Sequence, residues 1–228
     1  KSQVCREIGY NLIKQKVKIG YIALEESVKR SVQGFVSIGL NKQIHIPEVK
    51  KEIPKEELIK EWEGLKDYVA YYDHFGSHTT EDLINKIRYM VTALDCKIIF
   101  LDHISIVISG LENNDERRLI DNTMTSLRQL VEELKCGMFV VSHLKRPDNK
   151  TSHEEGLQVS LSHLRGSHSL ATLSNQVISF ERNQQSELES NILTCRVLKN
   201  RFSGDCGIAS TLIYNKENGR LSEGDFDE

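Results

Sequence analysis

Four apolar stretches of the sequence end in residues that can bind phosphate, hold a metal ion or move a proton. In chain order these ends are Glu25-Glu26, Asp102-His103, Ser142-His143, and Lys199 with Arg201. Ligands of parallel sheets bind at the carboxyl ends of the strands, and burying such charges without partners or a ligand costs free energy. We therefore expect these side chains to form a polar rim above an apolar sheet.

Two of the patterns are typical of nucleoside-triphosphate chemistry, although each also occurs without it. The apolar run 98–101 followed by Asp102 has the form of a Walker B motif, whose carboxylate holds magnesium directly or through water. Lys1-Ser2 stands before a helical pattern, as the last two positions of G-x-x-x-x-G-K-[ST] do. The chain begins without Met and without the glycines of that motif, so we expect upstream residues to complete it.

The residues between these ends predict the elements that position them. Continuous apolar runs at 18–24, 97–101 and 138–141 predict strands that are buried on both faces. Helices are predicted at 4–16, 28–40, 56–65, 83–94, 119–134 and 161–173, and further strands at 68–73, 176–180, 192–198 and 211–214. Thr79 to Asp82 is a capping signature, and Gly137 is expected to end the long helix. This order predicts an α/β fold with a mostly parallel sheet flanked by helices, closing in hairpin-like strands.

Composition excludes several classes of protein. With 39% hydrophobic and 28% charged residues among 228, the chain can bury a core as one large or two small domains. No apolar run reaches the ~18 residues that span a bilayer. Five cysteines form no C-x-x-C pair, which argues against a zinc module and favours a reducing, intracellular compartment. The net charge of -3 means that any nucleic-acid site must be local.

Longer motifs carry a family resemblance. They are 24–27 (LEES), 99–107 (IFLDHISIV), 115–117 (DER), 143–145 (HLK), 153–156 (HEEG), 164–167 (LRGS), 181–185 (ERNQQ) and 199–204 (KNRFSG). In this order they resemble the helicase domain of bacteriophage T7-type primase-helicases, within the DnaB-like ring helicases. The resemblance runs from Lys1 to about residue 219, with no motif in 33–77. It implies a RecA-like P-loop NTPase core.

The resemblance implies roles for the residues at the strand ends. Lys1 and Ser2 would end the P-loop, and Ser2 and Asp102 would bind Mg²⁺. Glu25 would activate the attacking water, with Glu26 as its competitor, because neighbouring strand residues point opposite ways. From the residues alone, His103 is expected to be structural and held by a hydrogen bond.

The resemblance also gives roles to residues later in the chain. His143 would sense the γ-phosphate. Arg201, with Lys199 nearby, would be an arginine finger that reaches the γ-phosphate bound by the neighbouring subunit. Arg182 and Tyr214 would sandwich the nucleotide base.

Two loops are implied to grip single-stranded DNA by its backbone. The first holds Lys145, Arg146 and Lys150, and the second holds Arg165, Gly166 and Ser167. The family is more basic just after the second loop, where this chain has His168, Ser169, Ala171 and Thr172. A few cations per subunit suffice in a ring, since the copies add up around the channel.

The implied function is that of a replicative DNA helicase motor. It would use a nucleoside triphosphate, ATP or dTTP, with Mg²⁺ to move 5′→3′ along single-stranded DNA and unwind duplexes as a ring hexamer. A replicative polymerase and a fused or separate primase are the further partners, with no membrane and a cytoplasmic location in the host. The motor domain is expected at 1–221, before an acidic flexible tail at 222–228.

Two other interpretations fit parts of the sequence. A RecA- or RadA-type filament-forming ATPase shares the core but lacks the K-x-R-F-x-G element near Lys199. A truncated, non-catalytic ATPase-fold module for subunit contacts or DNA binding would lack the phosphate cradle. In that case the isolated chain is expected to be inactive.

Overall fold

The computed structural model describes residues 1–72, 79–106, 113–145, 152–165 and 168–224. Their contacts form two compact units. Unit 1 comprises the described residues within Lys1–Leu111, Ser126–Ser142 and Glu217–Arg220. Unit 2 comprises those within Glu112–Thr125, His143–Lys216 and Leu221–Glu228.

Unit 1 is built around a four-stranded parallel sheet. Its strands are β1 (Ile19–Ala23), β2 (Val69–Tyr71), β3 (Ile98–Asp102) and β4 (Gly137–Val140), in the order β2-β1-β3-β4. All five residues of β1 are buried, as a continuous apolar run at the centre of a covered sheet requires. Parallel pairing brings the carboxyl ends of these strands to one edge.

The helices that accompany this sheet in unit 1 are α1 (Ser2–Lys14), α2 (Val28–Leu40), α3 (Pro47–Lys51), α4 (Lys55–Leu65) and α5 (Thr80–Thr92). The residues of α6 (Asn113–Leu134) are divided between the two units. On the face of α2, Tyr21 packs edge-on against Phe35, with ring centroids 5.1 Å apart. On the face of α5, a Cβ on Gly20 would lie 2.6 Å from Ile99 Cδ1 and 2.8 Å from the Met90 sulfur, so a larger residue would have to displace these side chains.

Unit 2 contains a four-stranded antiparallel sheet. Its strands run in the order β5 (Gln176–Glu181), β6 (Ile192–Asn200), β7 (Gly207–Tyr214) and β8 (Leu221–Glu223). The short helix α7 (Ser169–Leu173) precedes β5. A partly buried ion pair links β5 to β6, because Glu181 accepts hydrogen bonds from Arg196 and from Ser179.

Most predicted elements are confirmed, including the capping box of Thr79 and Asp82 at the start of α5. Three predictions were wrong in detail. β4 is not buried, because it is the last strand of the described sheet and alternate residues remain exposed. The predicted helix 161–173 is a 3₁₀ turn at Leu161–His163 and the separate α7, with 166–167 outside the described residues. Gly137 begins β4 rather than ending α6.

The final segment of the chain contains a strand that the sequence did not predict. Ser222 and Glu223 pair with Ile213 and Leu212 in β8, so the expected tail boundary at residue 221 falls within a strand. Residues 225–228 lie outside the described part of the chain. Among the described helices, none has the length and apolarity needed to cross a bilayer.

Candidate nucleotide site and DNA-contacting loops

The site in unit 1 begins where β1 and β3 end side by side. Ala23 is the register partner of Asp102, and the next residue, Leu24, donates its backbone N–H to the Asp102 carbonyl over 2.7 Å. Glu25 therefore follows a strand end that is fixed to β3, the strand with the predicted Walker B pattern. The predicted water-activating carboxylate and the predicted metal ligand lie at the same edge of the sheet.

Glu25 and Glu26 differ sharply in their surroundings. The Glu25 side chain is 56% exposed, and its Oε1 lies 2.6 Å from Nε2 of the buried His103. Glu26 accepts hydrogen bonds from Arg6 at 2.5 and 2.7 Å and from the Ser31 hydroxyl at 2.7 Å. Of the two carboxylates, Glu25 is thus the more exposed, and it lies within ion-pair distance of His103.

Asp102 is a buried carboxylate with no described donor. It is 8% exposed, and no side chain or backbone N–H in the described ranges donates a hydrogen bond to its carboxylate. Burying an unpaired carboxylate is costly, so the position suits a cation. Carboxylate and hydroxyl oxygens are ligands that Mg²⁺ accepts. The donor set of Asp102 and Ser2 therefore fits the implied ion.

Lys1 and Ser2 occupy the beginning of α1. Ser2 is the first helical residue, and the Lys1 ammonium donates to the Ser142 carbonyl, 2.8 Å away and just beyond β4. Partial burial lowers the pKa of Lys1, whereas the nearby charges of Asp102 and Glu25 act to raise it. The lysine therefore shares one electrostatic environment with both carboxylates, at a helix start that favours anions.

In unit 2, the starts of the two predicted DNA loops are hydrogen-bonded to each other. Leu144 and Leu164 form an antiparallel bridge. The Lys145 N–H donates to the His163 carbonyl at 2.9 Å, and the Arg165 N–H donates to the His143 carbonyl at 3.0 Å. The bridge thus joins the predicted phosphate sensor to the second loop. Of the other predicted loop residues, Arg146, Lys150, Gly166 and Ser167 lie outside the described residues.

Lys199 and Arg201 both reach the carboxyl end of α7. The Lys199 ammonium donates to the carbonyls of Ala171, Thr172 and Ser174. The exposed Arg201 donates to the Thr172 carbonyl at 2.7 Å and to Asn175 Oδ1 at 3.2 Å. Lys199 therefore caps the helix, whereas Arg201 makes fewer contacts from a more exposed position.

Arg182 and Tyr214 lie at the opposite end of the same sheet. Arg182 follows β5, and Tyr214 ends β7, with the first residues of β6 between them. They are two strand spacings apart, about 10 Å. The nine residues of β6 separate this end from Lys199 and Arg201 by about 25 Å at ~3.3 Å per residue.

Sequence reasoning missed Arg6. The sequence did contain an indication that Arg6 needs an anionic partner. Arg6 is a charged residue between Cys5 and Ile8 on a helix whose apolar residues face the sheet. The partner could not be inferred, because it depends on how α1 packs beside the end of β1.

Comparison with solved structures defines the fold. The fold matches a solved ATPase domain with a TM-score of 0.80, at 18% identity over 99% of this chain and 81% of that one. A DnaB-like replicative helicase, solved in a study of its interactions with primase, matches with a TM-score of 0.74. It is 18% identical over 93% of this chain and 52% of its own. These matches confirm the predicted RecA-like fold.

The family follows from the sequence comparisons. The family model for the DnaB-like helicase C-terminal domain matches residues 1–223, and the chain belongs to this family of helicase enzymes. The DNA helicase/primase of Enterobacteria phage T3 is 40% identical over 215 residues, which are 92% of this chain. The chain spans 38% of the length of that relative.

Proposed function

We propose that this chain is the motor of a replicative DNA helicase that hydrolyses a nucleoside triphosphate to move 5′→3′ along single-stranded DNA and unwind duplexes. The observation that carries the proposal is the joined end of β1 and β3. There the charges of the exposed Glu25 carboxylate and the buried Asp102 carboxylate both act on Lys1. A cation for phosphate, an anion for a metal and a second anion for water are the parts that phosphoryl transfer needs.

The roles follow from the surroundings of each group. Lys1 would neutralise the β- and γ-phosphates, and Glu25 would orient the water and accept its proton as oxygen bonds to the γ-phosphorus. The bond from the γ-phosphorus to the bridging oxygen breaks, and the diphosphate leaves. Ser2 and Asp102 would hold Mg²⁺, which when bound neutralises charge on the phosphates. His103, in contact with Glu25, would keep that carboxylate in place.

The layout of unit 2 supports an oligomer. One nucleotide would have to extend about 25 Å along β6 to touch both the Arg182–Tyr214 end and Arg201. It is simpler for the two ends to serve two nucleotides, one in each of two neighbouring subunits. We propose a ring hexamer, in which each Arg201 completes the next site.

The hydrogen-bonded starts of the two loops support the proposal that the motor moves along single-stranded DNA. The Leu144–Leu164 bridge holds Lys145 and Arg165 at the starts of adjacent loops, so both cations can follow one phosphate backbone. The hydrogen bond from Arg165 to the His143 carbonyl gives a short path from a phosphate sensor to this surface. We also propose that a primase acts with the motor, as the name of the phage T3 relative suggests.

Strand displacement on forked DNA tests the function. The complete protein is given NTP and Mg²⁺ with substrates that carry only a 5′ tail on one strand, only a 3′ tail, or both. Unwinding should need the 5′ tail and should be lost in Asp102→Asn. Glu56→Gln, which changes an exposed carboxylate on α4, is the control and should unwind normally.

Three results would count against the proposal. Unwinding that needs only a 3′ tail would refute the direction, and hydrolysis without any strand displacement would favour the filament-forming ATPase. No nucleotide-dependent activity at all would favour the non-catalytic module. Electron microscopy with a nonhydrolysable nucleotide and single-stranded DNA separates a ring from a filament.

A further inference from the structure

Arg6 and Glu26 form a shielded ion pair next to the proposed catalytic carboxylate. Their side chains are only 13% and 20% exposed, and Arg6 Nη2 contacts both carboxylate oxygens of Glu26. Ser31, buried in the first turns of α2, donates a third hydrogen bond to Glu26. Charge-assisted hydrogen bonds of this kind are stronger and more directional than neutral ones. The carboxylate of Glu26 is therefore held from two helices at once.

The path of Arg6 is set by a glycine. A Cβ on Gly34 of α2 would lie 2.5 Å from Arg6 Nε and 2.6 Å from its Cδ. The arginine stem thus crosses α2 at a point where any other residue would displace it. This close passage directs the guanidinium from α1 toward Glu26.

Two buried phenol hydroxyls lie near the ion pair, and neither replaces Glu26 as the partner of Arg6. The hydroxyls of Tyr21 and Tyr71 are buried nearby, and in the described part of the chain neither has a hydrogen-bond partner. Burial raises the pKa of both hydroxyls, and the charge of Arg6 opposes this. Both phenols thus remain neutral, and Glu26 is the carboxylate that hydrogen-bonds Arg6, while the charge of Asp102 also acts on it.

The pair joins the two chain segments that the proposed chemistry must hold together. Glu26 follows Glu25 directly, and Arg6 lies one helical turn after Ser2 on α1. The ion pair therefore ties the end of β1 to the first turns of the phosphate-binding helix. We propose that Arg6 and Glu26 are positioning residues, which fix the Glu25 carboxylate relative to the phosphate end at Lys1-Ser2. This inference rests on the proposed hydrolytic function.

The test compares hydrolysis with nucleotide binding in the complete protein. DNA-stimulated kcat and KM, the Kd of a fluorescent nucleotide and the melting temperature are measured for Arg6→Gln, Glu26→Gln and the double variant. Each single change should lower kcat by about tenfold or more while KM and Kd stay within about threefold, because misplacing a reacting group slows the chemical step. The double variant should be no slower than the slower single variant, because each change removes the same ion pair.

Two further variants distinguish a loss of positioning from a loss of folded protein. Gly34→Ala keeps both charges but displaces the arginine stem, so it should lower kcat in the same way. Arg6→Lys keeps the charge without the planar fork and should fall between Arg6→Gln and the unchanged protein. A purely structural role would lower the melting temperature and leave kcat per bound nucleotide unchanged.

The outcomes separate this inference from the function it rests on. If Glu25→Gln abolishes hydrolysis while Arg6→Gln, Glu26→Gln and Gly34→Ala stay within about twofold of the unchanged kcat, the positioning role is refuted alone. Multiplying losses in the double variant would also refute it. If the unchanged protein hydrolyses no nucleotide, or Glu25→Gln hydrolyses it normally, the proposed function fails and this inference fails with it.

Discussion

Leu24 donates its backbone N–H to the carbonyl oxygen of Asp102 over 2.7 Å, just past the last residue of β1. This bond continues the parallel ladder to the residue before Glu25. The carboxylate that would act on water and the carboxylate that would hold the metal ion are thereby set at a fixed spacing by the backbone. Their side chains then differ in exposure, as their proposed roles require.

Arg201 is predicted to act on the nucleotide of a neighbouring subunit. Arg201→Ala should lower DNA-stimulated hydrolysis by about 10³-fold, the usual loss for an arginine finger, with nucleotide binding retained. The guanidinium is exposed and held by only two side-chain hydrogen bonds among the described residues, so it can turn toward a phosphate. Steady-state hydrolysis and fluorescent-nucleotide binding measure the two effects.

Mixing subunits tests whether Arg201 acts in trans. Arg201→Ala subunits keep Glu25, and Glu25→Gln subunits keep Arg201, so a mixed oligomer contains some complete interfaces. Hydrolysis should reappear on mixing two inactive preparations. An arginine that acts within its own subunit would give no recovery.

Lys145 and Arg165 are predicted to contact DNA phosphates. Removing either cation by Lys145→Ala or Arg165→Ala should weaken single-stranded DNA binding on all sequences alike. The slope of log K against log salt should fall by about 0.7 for each phosphate that is no longer neutralised. Fluorescence anisotropy at several salt concentrations provides both values.

Lys51→Ala serves as the matched control for these loop variants. Lys51 is an exposed cation at the end of α3 in unit 1. Its removal should leave the salt slope unchanged. Equal effects from Lys51 and Lys145 would show that binding depends on overall charge rather than on the paired loops.

Stability is predicted to fall at alkaline pH. Burial raises the pKa of Cys5 to about 12 and of Cys96 to about 11, from the ordinary value of 9.0. Because the folded protein keeps these protons longer than the unfolded chain, the stabilisation is complete below pH ~9 and is lost between pH ~9 and 12. Each pKa unit corresponds to ~1.4 kcal/mol.

Thermal melting across this pH range measures the effect. The melting temperature should decline steadily above pH ~9, and Cys5→Ala should flatten the decline while losing some packing at all pH values. A Cys206→Ala variant, which changes an exposed thiol, is the control. A flat profile between pH ~9 and 12 would contradict the assignment of buried thiols to this loss.

The sequence predicted those parts of the fold that depend on local patterns. The bounds of α2, the capping box at Thr79 and the buried run of β1 all follow from residue spacing and type. The exposure of β4 could not be predicted, because an apolar strand looks the same at the centre and at the edge of a sheet. Likewise, β8 was missed because three residues carry too little periodic signal.

At the candidate site, the sequence predicted which residues carry the chemistry, and those roles stay predictions, but it did not predict their contacts. Strand alternation separated Glu25 from Glu26, but it did not indicate which of them faces the ligand. In the structure Arg6 and Ser31 engage Glu26 from two helices, and this leaves Glu25 as the more exposed carboxylate. The contacts of Lys199 could not be predicted either, because its three carbonyl partners depend on where α7 ends.

The most direct measurement is DNA-stimulated nucleotide hydrolysis by Glu25→Gln in the complete protein, together with its nucleotide-dependent binding of single-stranded DNA. The amide keeps the size of the side chain but cannot accept a proton, so hydrolysis should fall by at least about 10²-fold. DNA binding in the presence of nucleotide should be retained. Hydrolysis by Glu25→Gln at the rate of the unchanged protein would contradict the assignment of this site.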